Sequence, residues 1–253
     1  MSVHETRPGA QPGRSDQAAE IWRRLDAVTD PELDESVVDL SFVTHVDVDD
    51  ANHVRIGFRL PTYWCAANFA FMMADDMREA ALAAPWVERV TVELGEHMYA
   101  DTINTGVAAG RSFQDSFGKE ADGNLDEVRR TFLLKSFQRR QEALLLHLEA
   151  CGLAPEAIVS LRIRDLDEAV HDEEGRRLVA RYRHRRAIAG PASDEALAFV
   201  TTAGDPLGLE GYATYVKGLR RVRINAEFNG ALCRGLLAVR FETGAAQQEP
   251  ALT

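Results

Sequence analysis

The sequence predicts an α+β protein whose second half is mainly helical, and three observations carry this. Between Asp16 and Leu94 helical and alternating apolar periods follow one another, from Leu125 to Ala150 one helical period runs unbroken, and short alternating runs return after Ala150. A chain of 253 residues exceeds the usual single domain, so two are expected. We place a lead-in at 1–15, a first domain at 16–100, a mixed helical domain at 101–243 and a flexible tail at 244–253.

The lead-in holds Pro8, Gly9, Pro12 and Gly13 with almost no aliphatic residues, and gives no apolar core for a signal peptide. Ala18, Ile21, Trp22, Leu25 and Val28 then recur at intervals of three and four and predict a helix. Pro31 ends it, because the residue before a proline disfavours the α conformation, and the following loop carries Asp30 and Glu32. Val and polar residues alternate over 44–50 and again over 54–60, with a turn at 50–52, which predicts a hairpin. Its second strand runs into Leu60-Pro61-Thr62-Tyr63-Trp64-Cys65, where the apolar run stops and a cysteine stands directly before a new helical pattern. A thiol at a helix N-terminus is a better nucleophile or metal ligand, because it faces the positive end of the dipole. Phe69, Met73, Met77, Ala80, Ala81 and Ala84 form the apolar stripe of that helix; Pro85 closes it, and 87–94 alternates as a third strand. The order helix, strand, strand, helix, strand predicts helices on one face of a three-stranded sheet.

The motifs Asp30-Pro31-Glu32-Leu33, Val38-Asp39-Leu40 and Pro61-Thr62 shortly before Cys65 stand in this order ahead of a helix and a strand. Together they resemble the PaaD-like and SufT-like family of iron-sulfur cluster assembly factors over about residues 21–94. The resemblance implies a small cluster-assembly domain here, and implies that Asp30, Glu32, Asp39, Thr62 and Cys65 are its site residues. Trp64 and Ala66 stand where the family usually has Gly and Pro.

Beyond the third strand, Glu93, Glu96, His97 and Asp101 offer carboxylate and imidazole donors that suit iron, zinc or manganese, and His97 is the candidate among them. Short helices are expected at 102–109 and 112–117, and a long one from Leu125 to Ala150 capped by Asn124. His147 and Cys151 are spaced i, i+4, but with no second pair in the sequence core packing is the preferred reading. Strands are expected at 159–163, 197–201 and 222–228, and a helix at 209–219. The basic run 176–186 reads as the wet face of an amphipathic element. Asn229-Gly230 signals a turn, and a helix after it would put Cys233 in its first turn, so Cys65, His97 and Cys233 are taken together as a candidate metal or persulfide site.

The formal charge of −11 argues against a general nucleic-acid binder. No apolar run reaches the ~18 residues of a membrane span, and three scattered cysteines suit a reducing cytoplasm. No phosphate loop, serine elbow or zinc-protease signature occurs. The leading expectation, resting chiefly on the resemblance, is a cytoplasmic accessory protein that assembles or delivers iron, or a transient iron-sulfur cluster, to a client metalloenzyme such as a non-heme iron oxygenase. Zinc is the alternative metal; other assembly proteins and a second copy of the chain are the further partners. Two other readings stand beside it: a cysteine-dependent enzyme with Cys65 as nucleophile and His97 as base, and a metal-free protein-interaction module.

Overall fold

A computed structural model describes residues 14–120 and 124–242. Of the lead-in expected at 1–15, residues 1–13 lie outside the described residues, as does the tail at 244–253, while Arg14 and Ser15 already belong to the first helix. Two compact units emerge: the first takes in residues 14–30, 35–120 and 236–242, the second Pro31–Asp34 and residues 124–235.

The first unit opens with α1 (Arg14–Leu25) and continues through β1 (Val43–Val48), β2 (His53–Phe58), α2 (Ala67–Leu82), β3 (Arg89–Leu94), α3 (Ala100–Ala108) and α4 (Phe113–Phe117). The sheet order is β1-β2-β3. β1 and β2 pair antiparallel, with Val46 opposite Ile56, whereas β2 and β3 are parallel, with Ile56 opposite Val92, because α2 carries the chain back across the sheet. The hairpin turns where Asp49 Oδ1 accepts the N–H groups of Ala51 and His53 and Asn52 takes a positive φ of 55°. On β3, Val90, Val92 and Leu94 are buried while Arg89 and Glu93 are exposed, so one face of the sheet is packed and the other wet. Ile21 and Leu25 of α1, Met72, Met73 and Met77 of α2 and Ile103 and Val107 of α3 complete the core.

The second unit contains α5 (Leu125–Ala150), α6 (Pro155–Ser160), α7 (Glu173–Arg186) and most of α8 (Tyr212–Leu237). Phe137, Leu144, Leu145 and Leu148 of α5 pack with Val179 and Tyr182 of α7 and with Phe199. Three expected strands are corrected. Residues 159–163 divide between the end of α6 and a 3-10 turn at Ile163–Leu166. Residues 197–201 make isolated bridges, Arg162 to Leu197 and Val200 to Pro206, and no strand. Their carbonyls are met by side chains instead: Arg186 Nε donates to Ala198 O (2.9 Å) and Nη2 to Leu197 O (3.0 Å), and Gln141 Nε2 donates to Val200 O (3.0 Å). Residues 222–228 lie inside α8. The basic run falls on α7, whose Arg176 and Arg177 are exposed as expected, but Arg186 is turned into the interior.

Candidate functional site

The site is built where β2 hands the chain to α2. Phe58 ends the strand, Arg59 N–H still donates to Phe42 O (2.9 Å), and Leu60 and Pro61 stay buried. Pro61 then breaks the ladder and the chain turns outward, leaving Tyr63 44 % and Trp64 70 % exposed. The two rings meet edge to face with centroids 4.9 Å apart. Cys65 is half-buried and directly precedes Ala66, the N-cap of α2. Ala66 supplies no side-chain cap and the first turn of α2 holds no acid, so no carboxylate of the helix's own first turn offsets its positive end beside the thiol.

Cys65 Sγ lies 3.2 Å from Thr62 Oγ1. The same hydroxyl oxygen accepts the Trp64 N–H at 3.3 Å, which leaves the hydroxyl proton to point at the sulfur when it is a thiolate. His97 lies three positions beyond the end of β3. Its Nδ1 accepts the Tyr99 N–H (3.1 Å), so its proton sits on Nε2, which donates to the main-chain oxygen of Cys65 (2.8 Å). Burial pushes the affinity of the ring for a second proton below the ordinary histidine value; the bond to Cys65 O opposes this and the Arg240 charge adds to it. His97 is thus a neutral strut under the cysteine. Met98 N–H donates to Tyr63 O (3.0 Å) and gives the loop a second tie.

Thr62, Cys65 and His97 are therefore brought together, with His97 joined to the backbone of Cys65 rather than to its sulfur. Each of the other candidates has its own surroundings. Asp30 is buried, and its N–H donates to Glu35 O (2.9 Å). Asp39 is exposed on the turn ahead of β1. Glu32 belongs to the second unit, where its carboxylate accepts Asn229 Nδ2 (2.9 Å) and its main-chain oxygen accepts Arg139 Nη1 (2.7 Å). Cys233 also lies in the second unit, deep in the 26-residue α8 rather than in a first turn, so the dipole argument made for it from the sequence is corrected. Of the acids near His97, Glu96 is exposed and pairs with Arg240 Nη2 (3.0 Å), while Glu93 and Asp101 are exposed. Met98, 46 % exposed beside the loop, and Arg240 carried no sequence signal, because both reach the site only through the fold.

Residues 18–94 match the family described as iron-sulfur cluster assembly protein. The matched segment runs from α1 through β3 and contains the whole Thr62–Cys65 loop, so the N-terminal resemblance drawn from the three motifs holds for this part of the chain. Neither the curated proteins nor the solved structures gave a match. No described helix is long and apolar enough to cross a membrane.

Proposed function

We propose that the chain is an accessory protein of iron-sulfur or iron-centre assembly, which holds an iron-bearing unit briefly at Cys65 and passes it to a client metalloenzyme in the cytoplasm. The observation that carries this is the pairing of the Cys65 thiol with the Thr62 hydroxyl, at an uncapped helix start, inside the segment that matches the assembly family. A resident iron-sulfur cluster is ordinarily held by four thiolates. One thiol and one hydroxyl supply too few donors for that, so the remaining positions on the cargo fall to its own sulfides and to a partner, either the client or a second copy of the chain. The exposed Tyr63, Trp64 and Met98 beside the thiol offer apolar surface for such a partner. A non-heme iron oxygenase is the client we favour.

The bond between His97 and the Cys65 carbonyl speaks for this reading over a cysteine enzyme, since a general base must reach the proton that it removes. The test is anaerobic loading of the full chain with Fe(III) and sulfide, followed by iron analysis and transfer to an apo-ferredoxin, for wild type and Cys65→Ser. Faster cluster formation with wild type, lost in the variant, is expected; equal iron content and equal transfer rates would sink the proposal.

A further inference from the structure

A second donor cluster lies in the second unit, remote in sequence from the matched segment. His147 sits in the last turn of α5, Cys151 is the C-cap residue of that helix, and Asp172 is the N-cap of α7. His147 Nε2 is 3.2 Å from Asp172 Oδ1 and 3.6 Å from Cys151 Sγ, and the three donor atoms all lie within 4.8 Å of one another. A tetrahedral ion with bonds of about 2.0–2.3 Å sets its donor atoms about 3.3–3.8 Å apart. Two of the three spacings therefore already lie close to that range, and the third closes by a χ1 adjustment of Cys151 or Asp172, both of which are exposed.

One further observation points the same way. Gly175 is buried in the first turn of α7. A Cβ on Gly175 would stand 2.7 Å from His147 Nε2, 2.7 Å from Val170 Cβ and 2.9 Å from Asp172 Oδ1, so the missing side chain leaves room both for Val170 and for the two donors to meet. Asp172 Oδ1 also accepts the Gly175 N–H (2.6 Å), which fixes the carboxylate facing the imidazole.

We infer that His147, Cys151 and Asp172 form a binding site for one divalent first-row transition-metal ion, with the fourth position open to water or to a partner's ligand. Nitrogen, thiolate and carboxylate together suit Zn(II) and Fe(II) and disfavour magnesium and calcium. The Cys151 thiol gives its proton to solvent as the ion binds. With the fourth position open, the site is built for exchange rather than for a closed structural role.

The probe is Co(II), added to the full chain. One equivalent per chain and a thiolate-to-cobalt charge-transfer band are expected. Cys151→Ser, a surface change that leaves the fold intact by circular dichroism, removes the band. Cys65→Ser leaves it in place, which separates this site from the assembly loop. Gly175→Ala keeps all three donors but weakens binding by crowding the imidazole. Displacement of Co(II) by Zn(II) or Fe(II) supports the assignment. A band that survives Cys151→Ser, no band in wild type, or displacement by neither ion overturns it and leaves the trio as an ion pair capping α7.

Discussion

His97 Nε2 stands 2.8 Å from the carbonyl oxygen of Cys65, and the same ring accepts the Tyr99 N–H on Nδ1. The geometry of the thiol loop thus depends on an imidazole that must stay neutral, because a protonated ring has no lone pair left for Tyr99. Burial lowers the proton affinity of His97 in the folded chain. His53 is lowered by burial and by Arg89, and His184 by burial and by Arg185. In the unfolded chain all three return to about 6.5. Between that value and the lower folded ones the unfolded state binds more protons, so stability is fully present above about pH 6.5 and falls as the pH drops through the folded values. The urea midpoint is expected to decline between about pH 7 and about pH 5, and His97→Gln to show a shallower decline. An unchanged slope in that variant removes His97 from the account.

Thr62 gives a second expectation, on reactivity. Its hydroxyl is held by the Trp64 N–H and faces Cys65 Sγ at 3.2 Å, within hydrogen-bond reach of the sulfur. Thr62→Val keeps the shape and deletes the bond. The loss of about 1 kcal/mol corresponds to a roughly fivefold slower alkylation of Cys65 by iodoacetamide, read in a chain with Cys151→Ser and Cys233→Ser. Thr62→Ser restores the wild-type rate. Equal rates in all three show that the hydroxyl does not act on the sulfur.

Stability of the second unit turns on a buried ion pair. Arg140 grips Asp34 with two bonds of 2.7 Å, and both side chains are under a tenth exposed. Burial alone raises the Asp34 carboxyl, but the Arg140 bonds and charge outweigh it and hold the group below its ordinary range. Arg181 and Arg185 also face Asp34, at 3.7 and 3.9 Å. Asp34→Ala therefore leaves a buried guanidinium unpaired among like charges and is expected to cost about 3–5 kcal/mol, seen as a lower urea midpoint. Arg177→Ala, which breaks an exposed pair with Glu174, leaves the midpoint in place. Similar midpoints for both variants would contradict this ranking.

The first unit was legible because its strands are half-buried: on β3 the alternation of Val90, Val92 and Leu94 with exposed neighbours is the period that burial imposes. The same period misled in the second unit. Val222, Ile224, Ala226 and Phe228 alternate as a strand does, yet in α8 Ile224, Phe228 and Leu232 fall four apart on one side of the helix and stay about half exposed or more. Helix continuity also overrode the Asn229-Gly230 turn signal, which moved Cys233 out of a first turn. In the site, Thr62 and Cys65 stand three positions apart in one loop and the resemblance named both, whereas the role of His97 was not readable. Its partners are main-chain groups of Cys65 and Tyr99, and no sequence pattern records where a carbonyl points. Asp172 escaped for a related reason: it lies 21 positions beyond Cys151 and meets His147 only because α7 packs against α5.

The last expectation concerns Trp64. An indole 70 % exposed beside the thiol contributes little to folding, so Trp64→Ala is expected to leave the urea midpoint unchanged. Its surface becomes useful when a partner covers it, since aromatic anchors at the centre of an interface are commonly worth about 2 kcal/mol or more. Trp22 and Trp86 are only partly exposed, and replacing both by Phe, at the loss of the Trp86 Nε1 bond to Glu20 Oε2 (2.8 Å), leaves Trp64 as the sole reporter. In that chain, addition of an apo-ferredoxin acceptor is expected to shift the Trp64 emission to the blue as the ring leaves water. Trp64→Ala, measured by cluster transfer, is expected to raise the acceptor concentration at half-maximal rate about 30-fold, the equivalent of about 2 kcal/mol. A blue shift with unchanged transfer separates contact from function and assigns the aromatic pair to a bystander surface; no shift and no change in transfer places the docking face elsewhere on the chain.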